Sequence, residues 1–221
     1  MKLKLASVSF PALDTGCKNA EEFIAYAARV SNPANQSNME TADKLVRYLI
    51  KNHHWSPLEM VSVTMEIITT RDIARQILRH RSFSFQEFSQ RYAEAMEFEI
   101  REARLQDQKN RQNSIKLEGD DELAEWFEAE QRRIIYDHVE PFYREALKRG
   151  IAKEQARCIL PEGNTVSRLY MAGTLRSWVH YVQLRAANGT QAEHMDVARA
   201  AVDVLKVHFP SVMKAVLENE S

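Results

Sequence analysis

Hydrophobic positions recur along this chain with two periods, and the switches between them outline its elements. From Lys2 to Phe10 the apolar residues Leu3, Leu5, Val8 and Phe10 alternate with polar ones, which predicts a first strand. Asp14, Gly16 and Asn19 end it. Ala20–Val30 then reads as a helix with Phe23, Ile24, Ala27 and Ala28 on one face, stopped by Asn32-Pro33. Thr41–Asn52 is a second amphipathic helix, striped by Leu45, Val46, Leu49 and Ile50. Met60–Thr70 alternates again, Val61, Val63, Met65 and Ile67 against Ser62, Thr64 and Glu66, as a strand with one covered face does. Thr70 can cap a helix over Arg71–His80. Glu97–Ala103 is assigned as a strand and Arg104–Asp121 as an exposed polar loop or frayed helix. Glu122–Arg149 predicts one long helix, interrupted or kinked at Pro141 and capped by Gly150. A short helix over Lys153–Cys158, a turn at Leu160–Asn164 and a strand over Thr165–Met171 follow. The chain closes with helices over Thr174–Ala187, Gln191–His208 and Ser211–Leu217, the last two separated by Pro210. The whole of 1–221 reads as one domain, with a helical excursion over about 104–150.

Composition narrows the class. A hydrophobic fraction of 44% supports a sizeable core, and a formal net charge of -1 implies no bulk attraction to nucleic acid or membrane. No apolar run reaches the ~18 residues a membrane span needs, and the apolar part of MKLKLASVSF is too short for a signal peptide. Cys17 and Cys158 show neither metal spacing nor a disulfide framework, so no metal site is expected. These features predict a soluble cytoplasmic protein. The chain holds six glycines and no GxGxxG, which argues against a Rossmann-type dinucleotide fold.

The chemistry concentrates in Arg79–Arg91, RHRSFSFQEFSQR. Arg79, Arg81 and Arg91 are opposed only by Glu87, with Ser82, Ser84 and Ser89 between them. Planar guanidinium forks match phosphate oxygens, so the first expectation is a phosphorylated small molecule or a cofactor carrying phosphates. Cations at a helix C-terminus are also tolerated for structural reasons, but that covers Arg79 and Arg81 and not Arg91. His53-His54-Trp55-Ser56-Pro57 is either a helix end with favourably placed histidines or a loop lining a site. Gln76 and His80 sit one turn apart, as do Arg176 with His180 and Tyr181 with Arg185. Arg176 and Arg185 are nine residues apart and point to opposite faces of their helix. Ser89 reads as a phosphate contact and not a nucleophile, since no base is spaced to activate it. Cys158 sits in an apolar run and reads as an inert buried thiol. His80, between two arginines, should have its charged form disfavoured.

These segments resemble a known family. Arg79–Tyr92 matches the RHR-x7-S signature of the flavin-dependent thymidylate synthases. His54–Glu59 is similar to that family's H-x-[ST]-P-x-E segment, Arg157–Pro161 to its R-x-x-LP element, and Leu175–Arg185 to its final R-x-W-x-H-[FY]-x-x-x-R helix. The matches run in family order from about residue 50 to 190. The resemblance implies a mixed α/β (α+β) fold, a central sheet flanked by long helices, assembled as a homotetramer with active sites at subunit interfaces. It implies reductive methylation of dUMP to dTMP, with FAD as cofactor and NADPH and 5,10-methylenetetrahydrofolate as co-substrates. Carried over by motif, the FAD contacts are His54, Ser56, Arg79, His80, Arg81, Glu87, Thr174, Arg176 and His180. The dUMP contacts are Gln76, Arg79, Glu87, Ser89, Gln90, Arg91, Arg157 and Arg185, with Arg185 stabilising the ionised uracil. Some members carry asparagine where this chain has Thr174 and His180. Two other readings compete. One is a non-catalytic module that binds single-stranded nucleic acid through the RHR run and Phe83 and Phe85. The other makes the arginines salt bridges between subunits.

Overall fold

The computed structural model describes residues 1–9, 15–187 and 189–218; the expected positions Phe10 and Asp14 lie outside them. Strands β1 (Lys2–Ser9), β2 (Ser62–Thr70), β3 (Ser84–Glu87) and β6 (Val166–Thr174) form an antiparallel sheet in the order β1-β2-β6-β3. The register places Ser62 opposite Thr174 and Ser84 opposite Ala172, so the start of β2, the start of β3 and the end of β6 share one end of the sheet. Glu87 and Thr70 mark the other end.

The alternation seen in the sequence is the alternation of faces. Val63, Met65 and Ile67 of β2 and Leu169 and Met171 of β6 are fully buried. They pack beneath helices α1 (Ala20–Ala28), α2 (Ala42–Lys51), α3 (Arg71–Ile77), α7 (Leu175–Arg185), α8 (Ala192–His208) and α9 (Pro210–Glu218). Trp178 seals this core, its indole N–H donating to the Val63 carbonyl at 3.0 Å. Across the opposite face runs a polar row in register: Lys4, Glu66 and Tyr170, with Lys4 3.1 Å and the Tyr170 hydroxyl 2.5 Å from the Glu66 carboxylate.

Several elements differ from expectation. The cationic stretch contains strand β3, which adds to the sheet edge beside β6. Glu97–Ala103 makes only a single bridge, Phe98 to Thr165. Its backbone pairs briefly with the start of β6, the Glu99 N–H donating to the Asn164 carbonyl at 2.8 Å and the Val166 N–H to the Glu97 carbonyl at 2.9 Å. Side chains satisfy further groups: Gln131 takes the Arg101 N–H at 2.9 Å and donates to the Arg101 carbonyl, and the Asn164 amide donates to the Glu99 carbonyl at 3.0 Å. The polar run holds a hairpin, β4 (Arg104–Gln106) with β5 (Ser114–Lys116). The Asp107 carboxylate accepts the Lys109 and Asn110 N–H groups inside its turn, and these bonds hold its pKa down. The long helix is α4 (Asp121–Arg133) and α5 (Glu140–Lys148) joined by a π-turn at Ile134–Val139. The break falls before Pro141: a proline clashes with the carbonyl four residues back, and a wider turn relieves the clash. Helix α6 (Lys153–Ala156) is shorter than predicted, and Cys158 after it is exposed, not buried. Around Val139, Tyr143, Ala156 and Leu160 this part of the chain forms a small second core. Among the described residues no helix is long and apolar enough to cross a membrane.

Candidate active site

The end of α2 sets the first wall. His53 adopts φ 57°, the left-handed conformation that usually calls for glycine. The His54 N–H reaches the Leu49 carbonyl at 2.8 Å and the His53 N–H the Ile50 carbonyl at 3.0 Å, the paired bonds of a Schellman stop. The chain is thereby turned so that Trp55 and the 3-10 turn Ser56–Met60 meet α7. The Trp55 ring lies 4.9 Å edge-on to His180, and Glu59 pairs with Arg176. Thr174 caps α7 through the Ser177 N–H at 3.3 Å.

The RHR loop is pinned by its apolar neighbour. Phe83 inserts against Trp178, ring centres 5.0 Å apart, over Gly173. A methyl at Gly173 would stand 2.5 Å from that ring, which is why this strand position has no side chain. The Ser177 hydroxyl holds the Ser82 carbonyl at 3.3 Å. Arg79 and Arg81 are left exposed, and among the described residues neither has a carboxylate within 4.0 Å.

His80 turns inward. The Arg185 Nε–H donates to its Nε2 at 3.0 Å, so the ring is the neutral Nδ1–H tautomer. Burial, then the Arg185 charge, holds its pKa below the usual imidazole value. The sequence attributed this to Arg79 and Arg81; the neighbour that acts is Arg185. Behind this pair lies fully buried His194, with Nε2 3.1 Å from the Tyr181 hydroxyl and Nδ1 3.3 Å from Gln76 Oε1. Burial, Arg185 and His80 push His194 down to about 4. Gln76 donates onward to Gln191 at 2.6 Å. Burial raises the Tyr181 phenol, and partial burial followed by Arg176 lowers His180.

A second cluster occupies the other end of the sheet. Glu87 lies 3.5 Å from Arg71 and 3.4 Å from Arg75 and accepts the Ser167 hydroxyl at 2.9 Å. Beyond it Arg91 pairs with Glu154 at 3.2 Å, and Arg157 donates to the Glu154 carbonyl at 3.3 Å. Ser89 Oγ accepts the Arg91 N–H at 3.3 Å, and Gln90 is buried with its amide nitrogen unpartnered. One chain therefore brings Gln76, His80 and Arg185 together, gathers Thr174, Arg176 and His180 near His54 and Ser56, and sets Glu87, Ser89, Arg91 and Arg157 apart. Among the described residues no group of His, Cys, Asp and Glu could hold a metal ion.

Sequence reasoning passed over Tyr181 as a partner of His194, passed over His194 itself, and gave no role to Glu59, Arg71 or Arg75. His194 had a signal: it stands on the apolar stripe of α8 with Val197, Ala198, Ala201 and Leu205, where a polar ring must find partners. Arg71 and Arg75 had none, because Glu87 reaches them only through the β3–β6 pairing.

Comparison with known proteins supplies the last observations. A family profile described as thymidylate synthase complementing protein matches residues 13–211. A probable flavin-dependent thymidylate synthase of Paramecium bursaria Chlorella virus 1 is 50% identical over 217 residues, 98% of this chain and 99% of the relative. The flavin-dependent thymidylate synthase of a Synechocystis strain is 49% identical over 218 residues, again 98% and 99% of the two chains. Among solved structures, the UMP/dUMP methylase PolB from Streptomyces cacaoi, bound with 5-Br dUMP, superimposes with a TM-score of 0.80 at 25% identity, covering 98% of this chain and 94% of that one.

Proposed function

Since the chain belongs to the flavin-dependent thymidylate synthases, a family of methyltransferases, we propose that it methylates dUMP to dTMP with 5,10-methylenetetrahydrofolate, FAD and NADPH, as a homotetramer whose subunits share each site. The observation that carries the detailed reading is Arg185: its Nε–H is fixed on neutral His80, while its two terminal nitrogens have no acceptor among the described residues. A guanidinium held by one edge presents the other to a ligand.

The residues present fit FAD. Among the described residues exposed Arg79 and Arg81 lack carboxylate partners, Thr174 ends β6 at the start of α7, and the His180 ring of that helix lies 4.9 Å from Trp55, next to Ser56. When bound, the flavin supplies the reducing electrons that no side chain can. Arg79 and Arg81 would bind its phosphates, and Arg176, His54 and His180 would orient it. Gln76, Ser89, Arg91 and Arg157 would hold dUMP, Arg91 and Arg157 its phosphate. C5 of uracil is a poor nucleophile, and Arg185 at the pyrimidine edge would stabilise negative charge spreading into the ring. Neutral His80 keeps that guanidinium oriented without adding a second charge.

Subunit sharing is supported by two features. Arg91 and Arg157 stand apart from Arg185 in one chain, and they would face it in a site built from two. Trp126, Ile134 and Phe142 of the 104–150 excursion are each about half exposed, at 58%, 47% and 56%, as residues covered by another copy would be. The whole chain then acts as one catalytic domain, with the excursion as its assembly arm. Purified protein should be yellow, release FAD on denaturation and form dTMP only when dUMP, the folate and NADPH are all present. Colourless protein that cannot be reconstituted with FAD would refute the assignment.

A further inference from the structure

A cavity of about 540 Å³ opens between α1 and α2, lined by none of the residues assigned above. Part of its lining is apolar, formed by Ala28, Leu45 and Leu49. The rest of its lining is largely polar and includes two cations, buried Arg29 and exposed Lys44, and no carboxylate.

Arg29 is the informative residue. It is only 7% exposed, and its guanidinium donates to the Asn38 carbonyl and, at 2.7 Å, to the Thr41 hydroxyl, both neutral. Among the described residues no carboxylate lies within 4.0 Å of Arg29 or Lys44, whereas Arg71, the other buried arginine among them, lies 3.5 Å from Glu87. Arg29 also caps α1, but a helix C-terminus offers about half a negative charge. A charge taken out of water without a counter-charge is costly, and a bound anion would complete it. Tyr48, exposed at the opening, sets its ring 6.1 Å edge-on to His54, so the cavity adjoins the segment assigned to the flavin.

We propose that this cavity receives an anion carried on a flat aromatic arm, namely the benzoyl-glutamate arm of the folate. The proposal rests on the function proposed above. Of the ligands named there, FAD has Arg79 and Arg81, and the dUMP phosphate has Arg91 and Arg157. Neither the folate carboxylates nor the NADPH phosphates have another cation assigned, and the apolar lining of Ala28, Leu45 and Leu49 favours the arm that carries a benzoyl ring. The volume lies within the roughly 300–1,000 Å³ of small-molecule sites. The benzoyl ring would lie against Tyr48, with its carboxylates toward Lys44 and Arg29 and the one-carbon end directed to the flavin.

The test uses the FAD-loaded protein and Lys44→Gln and Lys44→Glu. Lys44 is exposed, so both variants should fold. The first measurement is equilibrium binding of p-aminobenzoyl-glutamate; the second is KM for 5,10-methylenetetrahydrofolate, for NADPH and for dUMP. Lys44→Gln should weaken the probe and raise the folate KM about two- to fivefold, the size of one exposed ion pair. Lys44→Glu should raise it about tenfold, and neither should change FAD retention or the dUMP KM. A folate analogue lacking the glutamate should be indifferent to both. Unchanged probe binding and folate KM would overturn the proposal. So would a shift confined to the NADPH KM, which would assign the cavity to the nicotinamide nucleotide phosphates, or a loss of FAD. If the wild type binds the probe in a Lys44-dependent way yet forms no dTMP, the site stands and the reaction assigned above falls.

Discussion

Acid should destabilise this protein through His194. The ring is fully buried, held between Tyr181 and Gln76, and takes its proton at about 4 instead of 6.5. Between those two values the unfolded state binds more protons than the folded one, so stability falls as the pH falls through that window. The difference of about 2.5 pH units, at about 1.36 kcal/mol each, amounts to roughly 3 kcal/mol by pH 4 and roughly 2 kcal/mol by pH 5. His80 and His180 are shifted in the same direction, and Glu21, raised by burial, acts oppositely. The comparison is therefore with His194→Gln, an uncharged side chain that can still bond Gln76. Urea unfolding of both proteins at one fixed concentration, at pH 7.5 and pH 5, gives the difference directly. The wild type should lose roughly 2 kcal/mol more than the variant over that interval. Equal losses, or a His194 resonance titrating near 6.5, would refute the reasoning.

Other outcomes follow from the site. Arg185→Ala should lower dTMP formation by at least about 100-fold, the cost of removing one donor aimed at developing charge, while FAD remains bound; loss of flavin would show that Arg185 serves the cofactor. Arg81→Ala should weaken FAD by about 10- to 100-fold, as removal of one charge-assisted bond of about 1.5–3 kcal/mol does, and His54→Ala should weaken it less; fluorescence titration of the apoprotein reads both. Gly173→Ala should destabilise by about 1–3 kcal/mol through overpacking against Phe83 and loosen FAD with it, because Phe83 anchors the RHR loop; an unchanged urea midpoint would remove that ring as the anchor. Tyr181→Phe should cost about 1 kcal/mol of stability for the lost bond to His194 and raise the pH at which His194 titrates by NMR no further than its ordinary value.

The site divides into what local spacing shows and what pairing creates. The motif segments show it residue by residue, because a turn of helix sets Arg176 beside His180 and Tyr181 beside Arg185 without help from the rest of the chain. The inward turn of His80 was only half legible. Its neutrality followed from neighbouring cations, but the guanidinium that holds it comes from residue 185, brought to it by packing of α7 against the loop after α3. Glu87, expected among the flavin and dUMP contacts, also stands between Arg71 and Arg75, neighbours it gains because β3 joins the sheet edge there.

The sequence by itself determined the faces: alternation at Ser62–Thr70 and the three-to-four spacing along α2 and α8 fix which side is buried, since both are properties of a single strand or helix turn. Only the tertiary structure decided the rest. Strand β3 is four residues long and exists because β6 offers an open edge, and Glu97–Ala103 pairs with the chain around Thr165 at Glu97 and Glu99, while Gln131 takes both backbone groups of Arg101. Such outcomes depend on hydrogen-bond partners tens of residues away, and no local pattern records who arrives first at an unpaired backbone group.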